Sequence, residues 1–145
     1  SLTILGLVPS PLHERLLDRV AGLSFGDAVD FTGWLDDEEY NRRVDGVDIA
    51  IQLRTSTNGE VSAAAADCLG RGIPTIVSAV GPFSGVPNKV VGKIAPDASA
   101  DKLAETVLML ISDSRRRAAL SRASLRYARK HDFRVAARRL LDALS

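Results

Sequence analysis

The residues with most to offer chemically lie between Arg54 and Asp67, in the run RTSTNGEVSAAAAD. Arg54 brings a permanent positive charge whose planar donors suit phosphate oxygens. Thr55, Ser56, Thr57, Asn58 and Ser62 add hydroxyl and amide donors. The wider stretch from Asp48 to Pro74 reads as a buried strand, a polar loop, a helix from Glu60 to Arg71, a stop and the next strand. At such a junction the backbone N–H groups of Asn58, Gly59, Glu60, Val61 and Ser62 would point outward without helical partners. That is where an anion, above all a phosphate, is held. Gly59 allows close approach, and Ala63 to Ala66 would let the helix lie flat against a sheet. The plain alternative is an ordinary strand–turn–helix connection with a capping Ser or Asn. Neither the P-loop spacing nor GxGxxG is present.

Two carboxylates accompany this loop. Glu60 and Asp67 are seven residues apart, which on a helix running from Glu60 would place them on one face, two turns apart. Asp67 within a run of small apolar residues suits a bidentate acceptor for two neighbouring hydroxyls, such as those of a ribose. Exposure on the outer side of the helix explains it equally. Glu60 in a first turn would also favour the helix dipole.

Strands and helices alternate through the first two-thirds of the chain. Leu2 to Val8 is an apolar run expected as a strand covered on both faces. Ser10-Pro11 reads as a cap and first helical residue, followed by Leu12, Leu16, Leu17 and Val20 at helical spacing. Ala28 to Phe31 is a second strand. Asp36 with Glu39 forms a capping box for the next helix, and Arg42 and Arg43 suit its C-terminus. Asp48–Leu53, Ile73–Ala79 and Val90–Ile94 complete the strands, with a loop over Gly81–Pro87. From Ser99 onward the pattern is helical only. Leu103, Val107 and Leu110-Ile111 mark one helix. Leu120, Ala123 and Tyr127 face inward on another spanning Ser114 to Lys130. A third, capped by Asp132, carries Phe133, Ala136, Ala137, Leu140 and Leu144. The expected architecture is α/β, a Rossmann-like parallel sheet with helices on both faces, closed by C-terminal helices. Ligands of such sheets bind beyond the carboxyl ends of the strands, where Val8-Pro9, Gly33 to Leu35, Arg54 to Gly59 and Ala79 to Gly85 all fall.

Composition sets outer bounds. The chain has 145 residues, one cysteine and a formal net charge of +1, which suits one domain with its own core. One cysteine excludes an internal disulfide and fits a reducing compartment, so a cytoplasmic location is expected. No apolar run reaches membrane-spanning length. From Asp113 onward there are ten Lys or Arg against three Asp, so that third carries about +7 and the remainder about −6. Arg115, Arg122, Arg126 and Arg129 recur on one helical face. A solvated face is the simplest reading, and an anionic membrane surface or another domain the alternatives. His13 and His131 are too isolated for a metal site, with His131 at a helix boundary, and Cys68 is a small buried residue. Asp36-Asp37 is explained by capping. Trp34 suits stacking on a nucleobase, although a lone Trp after a strand is usually core.

From Val29 onward the sequence resembles the C-terminal domain of the GT-B glycosyltransferases, most closely glycosyltransferase family 4 (group 1). The residues that carry this are Phe31-Thr32-Gly33, Trp34-Leu35-Asp36-Asp37 and Gly72-Ile73-Pro74-Thr75-Ile76-Val77. The Gly81 loop, Asp101-Lys102-Leu103-Ala104 and His131-Asp132-Phe133 add to it. Counted back from Gly72, Asp67 falls on the second glutamate of the family's E-x7-E. The first falls on Gly59, one residue before Glu60.

The resemblance implies the donor-binding domain of a retaining enzyme, inactive alone, that moves a sugar from a nucleoside diphosphate sugar to an acceptor hydroxyl. It implies catalytic roles for Arg54 and Glu60. Donor contacts would come from Gly33, Trp34, Leu35, Thr55, Asn58, Gly59, Val61, Ser62, Asp67, Gly81 and Pro82. Neither a metal nor a nucleic-acid partner is expected. On this resemblance the sequence is expected to start at the family's second strand, without the first strand and the acceptor-binding N-terminal domain. Peripheral membrane contact and pairing with a second copy are further expectations. The competing readings are a nucleotide-sugar epimerase of the same architecture and a non-catalytic phospho-ligand module.

Overall fold

The computed structural model describes residues 1–144, which divide into two compact units, Ser1–Gly46 and a second that begins at Val47. In the first unit, β1 (Leu2–Ile4) and β2 (Val29–Phe31) pair in parallel, with Leu2 opposite Val29 and Ile4 opposite Phe31. They flank α1 (Ser10–Ala21), and α2 (Asp37–Asp45) follows. The ladder is shorter than the apolar run of Leu2 to Val8. It breaks before Gly6, which adopts φ +102° and forms an isolated bridge to Gly33. The expectation of a strand covered on both faces fails here: Leu2 is half exposed and Leu7 is 74% exposed.

Polar geometry holds the turn after β2. The Thr32 hydroxyl accepts from Gly6 N at 3.1 Å and lies 3.0 Å from the Gly33 carbonyl. Gly33 itself takes φ +65°, which a side chain would strain. These two demands account for the Thr-Gly pair after Phe31. Ser10 is the first helical residue of α1 rather than its cap; Pro9 holds the cap position, and Ser10 Oγ bonds Glu14 at 2.9 Å. Asp36 caps α2 by accepting from Glu39 N at 2.8 Å, but the capping box stays half formed. The Glu39 carboxylate turns instead to Arg42 and Arg43, each at 2.8 Å through its Nε. Two guanidinium partners hold it more strongly than one backbone amide would.

The second unit contains the parallel sheet β3 (Ala50–Gln52), β4 (Thr75–Ser78) and β5 (Gly92–Ile94), in that order with β4 central. Each unit has its own parallel ladder, β1-β2 in the first and β3-β4-β5 in the second. Helix α3 (Ala63–Gly70) joins β3 to β4, and α4 (Ala100–Ser112), α5 (Ser114–Lys130) and α6 (Phe133–Leu144) follow β5.

Alternation along β4 builds the core. Val77 points into a cluster with Ala65, Leu69, Phe83, Val86, Val90, Val91 and Ala123. Ile76, its neighbour, points the other way into a cluster with Ile94, Leu110 and Leu120. Both side chains are fully buried, as the central strand of a sheet covered on two faces requires. Gly72 ends α3 with φ +74°, and a Cβ there would sit 2.9 Å from Leu125 Cγ, so α5 packs directly on this turn. Arg117 of α5 donates through Nη1 to the Leu110 and Ile111 carbonyls at 2.6 Å, satisfying the open end of α4. Ile111, expected on the inner face of α4, is 57% exposed. The apolar residues of α6 also point outward: Phe133 is 85% and Leu144 77% exposed.

Candidate functional site

The carboxyl ends of β3 and β4 set the geometry of the candidate site. Arg54 follows β3 and its backbone N–H donates to the buried Ser78 Oγ at the end of β4, at 2.9 Å. That bond fixes where the Arg54 side chain leaves the sheet. A cavity of about 180 Å³ opens here, lined by Leu53, Arg54, Thr55, Ser78, Ile94, Ala95, Pro96 and Ala98. It is smaller than the roughly 300–1,000 Å³ that encloses a whole small ligand, so it accommodates a group rather than a nucleotide. Ala95, Pro96 and Ala98 carry no chemical signal in the sequence. Their place directly after β5, at the end of a strand where ligands gather, is the signal that marks them.

The loop from Arg54 to Ser62 differs from the sequence expectation in one decisive respect. Helix α3 starts at Ala63, not at Glu60, because Ser62 is the cap and accepts from Ala65 N at 3.3 Å. Ser62 is 4% exposed, so its hydroxyl faces the helix rather than solvent. Glu60 therefore lies in the loop, and the expected shared helical face with Asp67 does not exist. Of the four alanines only Ala65 is buried; Ala63 and Ala66 are exposed.

Glu60 organises that loop. Its Oε1 accepts from Arg54 Nη1 at 2.5 Å, and its Oε2 accepts from Asn58 N at 2.7 Å and from the Thr57 hydroxyl at 3.2 Å. Gly59 N donates to Thr57 Oγ1 at 3.0 Å, with Gly59 at φ +95°. The amides of Asn58 and Gly59, expected to be free, are thus already engaged from within. Backbone N–H donors, the Asn58 amide among them, hold the Glu60 carboxyl below its ordinary value, with help from Thr57 and Arg54. The pair with Arg54 is solvent-facing, with side chains 36% and 50% exposed, which limits its worth through screening.

A second loop packs onto the first. Gly81 adopts φ +54°, and a Cβ on it would collide with Thr57 Cγ2. Gly81 opens a 3₁₀ turn (Gly81–Ser84) that includes Pro82, fastened by Ser84 Oγ donating to Gly81 O at 2.7 Å. Only glycine satisfies both the backbone angle and the close approach.

The structure thus gathers Arg54, Thr57, Asn58, Gly59, Glu60 and Gly81 into one cluster, with Thr55 in the adjoining cavity and Pro82 in the abutting turn. Val61 is exposed beside the cluster. Asp67 stands on α3 and pairs with Arg71 one turn on, Nε to Oδ1 at 3.0 Å. Gly33, Trp34 and Leu35 belong to the first unit. Trp34 is 72% exposed, which overturns its core reading. A larger concavity, about 470 Å³, lies within the first unit between α1 and β2 and contains none of the expected site residues. Cys68 is buried, and its thiol is pushed up mainly by that burial, as a packing residue requires. His131 ends α5 and stacks on Tyr127 at 3.9 Å. Arg115, Arg122, Arg126 and Arg129 are all exposed, in keeping with a solvated face.

No family model matches the chain, and no curated protein matches it. Solved structures do. HepE from Anabaena in complex with UDP-glucose superposes with a TM-score of 0.80 at 15% identity, covering 98% of this chain and 40% of that one. Sucrose-phosphate synthase from Thermosynechococcus elongatus gives 0.72 at 20% identity, over 96% of this chain and 37% of that one. The C-terminal domain of a group 1 family glycosyl transferase, LpcC from Francisella tularensis, gives 0.67 at 22% identity, over 81% and 62%. At these identities the likeness is one of fold. The chain spans about two-fifths of the first two structures. The α/β fold expected of a GT-B C-terminal domain, parallel strands flanked by helices, is the fold observed.

Proposed function

We propose that this chain is the donor-binding part of a retaining glycosyltransferase of family 4, moving a hexose from a nucleoside diphosphate sugar to an acceptor hydroxyl. One observation carries the reading: Arg54, Thr57, Asn58, Gly59 and Gly81 converge at the carboxyl ends of β3 and β4. Structural neighbours described in complex with UDP-glucose, and with UDP, support a nucleotide sugar as ligand. The acceptor-binding domain would belong to the rest of the enzyme, in a cytoplasmic protein able to touch an anionic membrane.

Departure of the sugar from its diphosphate builds negative charge on the phosphate oxygens. Arg54 and the Asn58 amide, once Glu60 releases them, would stabilise that charge electrostatically, without a metal. The narrow cavity beside Arg54 has room for part of the donor only. In this reading Asp67 exchanges Arg71 for the ribose hydroxyls. Glu60 and the Gly81-Pro82 turn face the sugar. The experiment is turnover of the full-length enzyme carrying Arg54→Ala. A charge-assisted contact to phosphate is worth about 1.5–3 kcal/mol, so a loss of roughly 10- to 100-fold is expected. Unchanged turnover would remove Arg54 from the mechanism.

A further inference from the structure

We infer that the Glu60 carboxylate is a built-in competitor for the anion-binding groups of its own loop, which a diphosphate must displace to bind. The inference rests on the donor reading above and concerns the same residues. Three donors converge on Glu60, namely Arg54 Nη1, the Asn58 amide and the Thr57 hydroxyl. Arg54 and the Asn58 amide are the same groups that the donor reading gives to phosphate. The single Asn58 N–H cannot serve both anions at once, and a phosphate drawn to the remaining donors of the Arg54 fork would sit beside the carboxylate, where like charges repel.

Two features make the carboxylate displaceable. The Arg54–Glu60 pair is solvent-facing, with side chains 36% and 50% exposed, and exposed pairs hold their partners weakly. Glu60 also lies outside α3, whose start is fixed independently by Ser62, so its side chain can swing away without unwinding the helix. In the unliganded protein the carboxylate keeps Arg54 and the Thr57–Gly59 turn in order. A diphosphate, with more charge and more acceptor oxygens, takes its place.

The test is calorimetric titration of inorganic pyrophosphate, and separately of UDP, into the chain, its Glu60→Gln variant and its Arg54→Ala variant. Glutamine keeps the size and one acceptor oxygen but carries no charge. Removing a competitor worth up to about 1 kcal/mol should tighten pyrophosphate binding by roughly two- to fivefold. The Asn58 amide resonance should shift on Glu60→Gln, and again on ligand addition. Equal or weaker pyrophosphate binding by Glu60→Gln, including no binding by either protein, overturns the inference. If UDP still binds through Arg54 in that case, the donor reading survives alone. If no variant binds UDP, both fall.

Discussion

In the first unit Val44 is the one buried residue among those described, whereas in the second Ala65, Ile76, Val77 and Val91 lose all exposure. Both units are strand–helix–strand in plan, but different forces order them. The first relies on polar geometry: Thr32 across the turn, Asp36 at the cap, and Glu39 between two arginines. The second relies on two apolar clusters on opposite faces of β4. Polar contacts at the surface are worth about 1 kcal/mol or less each, while a buried aliphatic side chain is worth several times that. The candidate diphosphate cluster therefore grows from the unit with the apolar core. Arg54 is held by Ser78, and Gly81 follows the central strand within three residues.

Substitutions can break this contrast. Ile76→Ala should cost about 2–5 kcal/mol in urea unfolding, since a fully buried side chain leaves a cavity between β4 and α4. A cost below 1 kcal/mol would mean that the sheet is not the stabilising centre. Gly72→Ala should cost about 1–2 kcal/mol for its left-handed backbone alone, with the Leu125 clash added. Gly70→Ala, two residues away with open space around it, should be neutral or stabilising by up to about 1 kcal/mol. Equal effects at the two glycines would refute the α3–α5 contact.

Acid sharpens the comparison. Hydrogen bonds from Arg42 and Arg43 hold the Glu39 carboxyl below its ordinary 4.5. A lowered folded-state pKa gives stability that is present above the unfolded value and lost as pH falls through the folded one. Helical chemical shifts of α2 should therefore decay below about pH 4.5, while those of α5 persist, and Glu39→Gln should flatten the α2 response. The Arg54–Glu60 loop should titrate in the same acid range, because Glu60 is shifted the same way. Parallel decay of α2 and α5 would contradict the division. The smallest effect is expected at Leu7→Ala, within about 0.5 kcal/mol, since a side chain 74% exposed has little to lose.

The sequence was most legible where periodicity was long. Helix α5 runs from Ser114 to Lys130 as its spacing implies, with Leu120 and Ala123 buried. Strand ends were overestimated because apolar runs outlast ladders: Leu7 extends the pattern of β1, but Gly6 has already turned the backbone. The start of α3 is ambiguous in the sequence because Glu60 suits a first turn as well as a loop. What decides is Ser62, whose hydroxyl reaches Ala65 N, and that bond depends on geometry rather than spacing. The engagement of Glu60 with Arg54, six residues earlier, follows a turn that no periodicity describes. Trp34 shows the opposite limit, an apolar residue after a strand that stays in solvent.

If the Arg54–Ser62 loop holds the diphosphate of a nucleotide, Arg54 governs nucleotide affinity. Calorimetric titration of the chain with UDP and GDP, alongside Arg54→Ala, tests it most directly. Saturable binding of at least one nucleotide is expected at or below roughly millimolar concentration, weakened about tenfold or more by Arg54→Ala. Binding unaffected by the loss of Arg54, or no binding of either nucleotide, would contradict it.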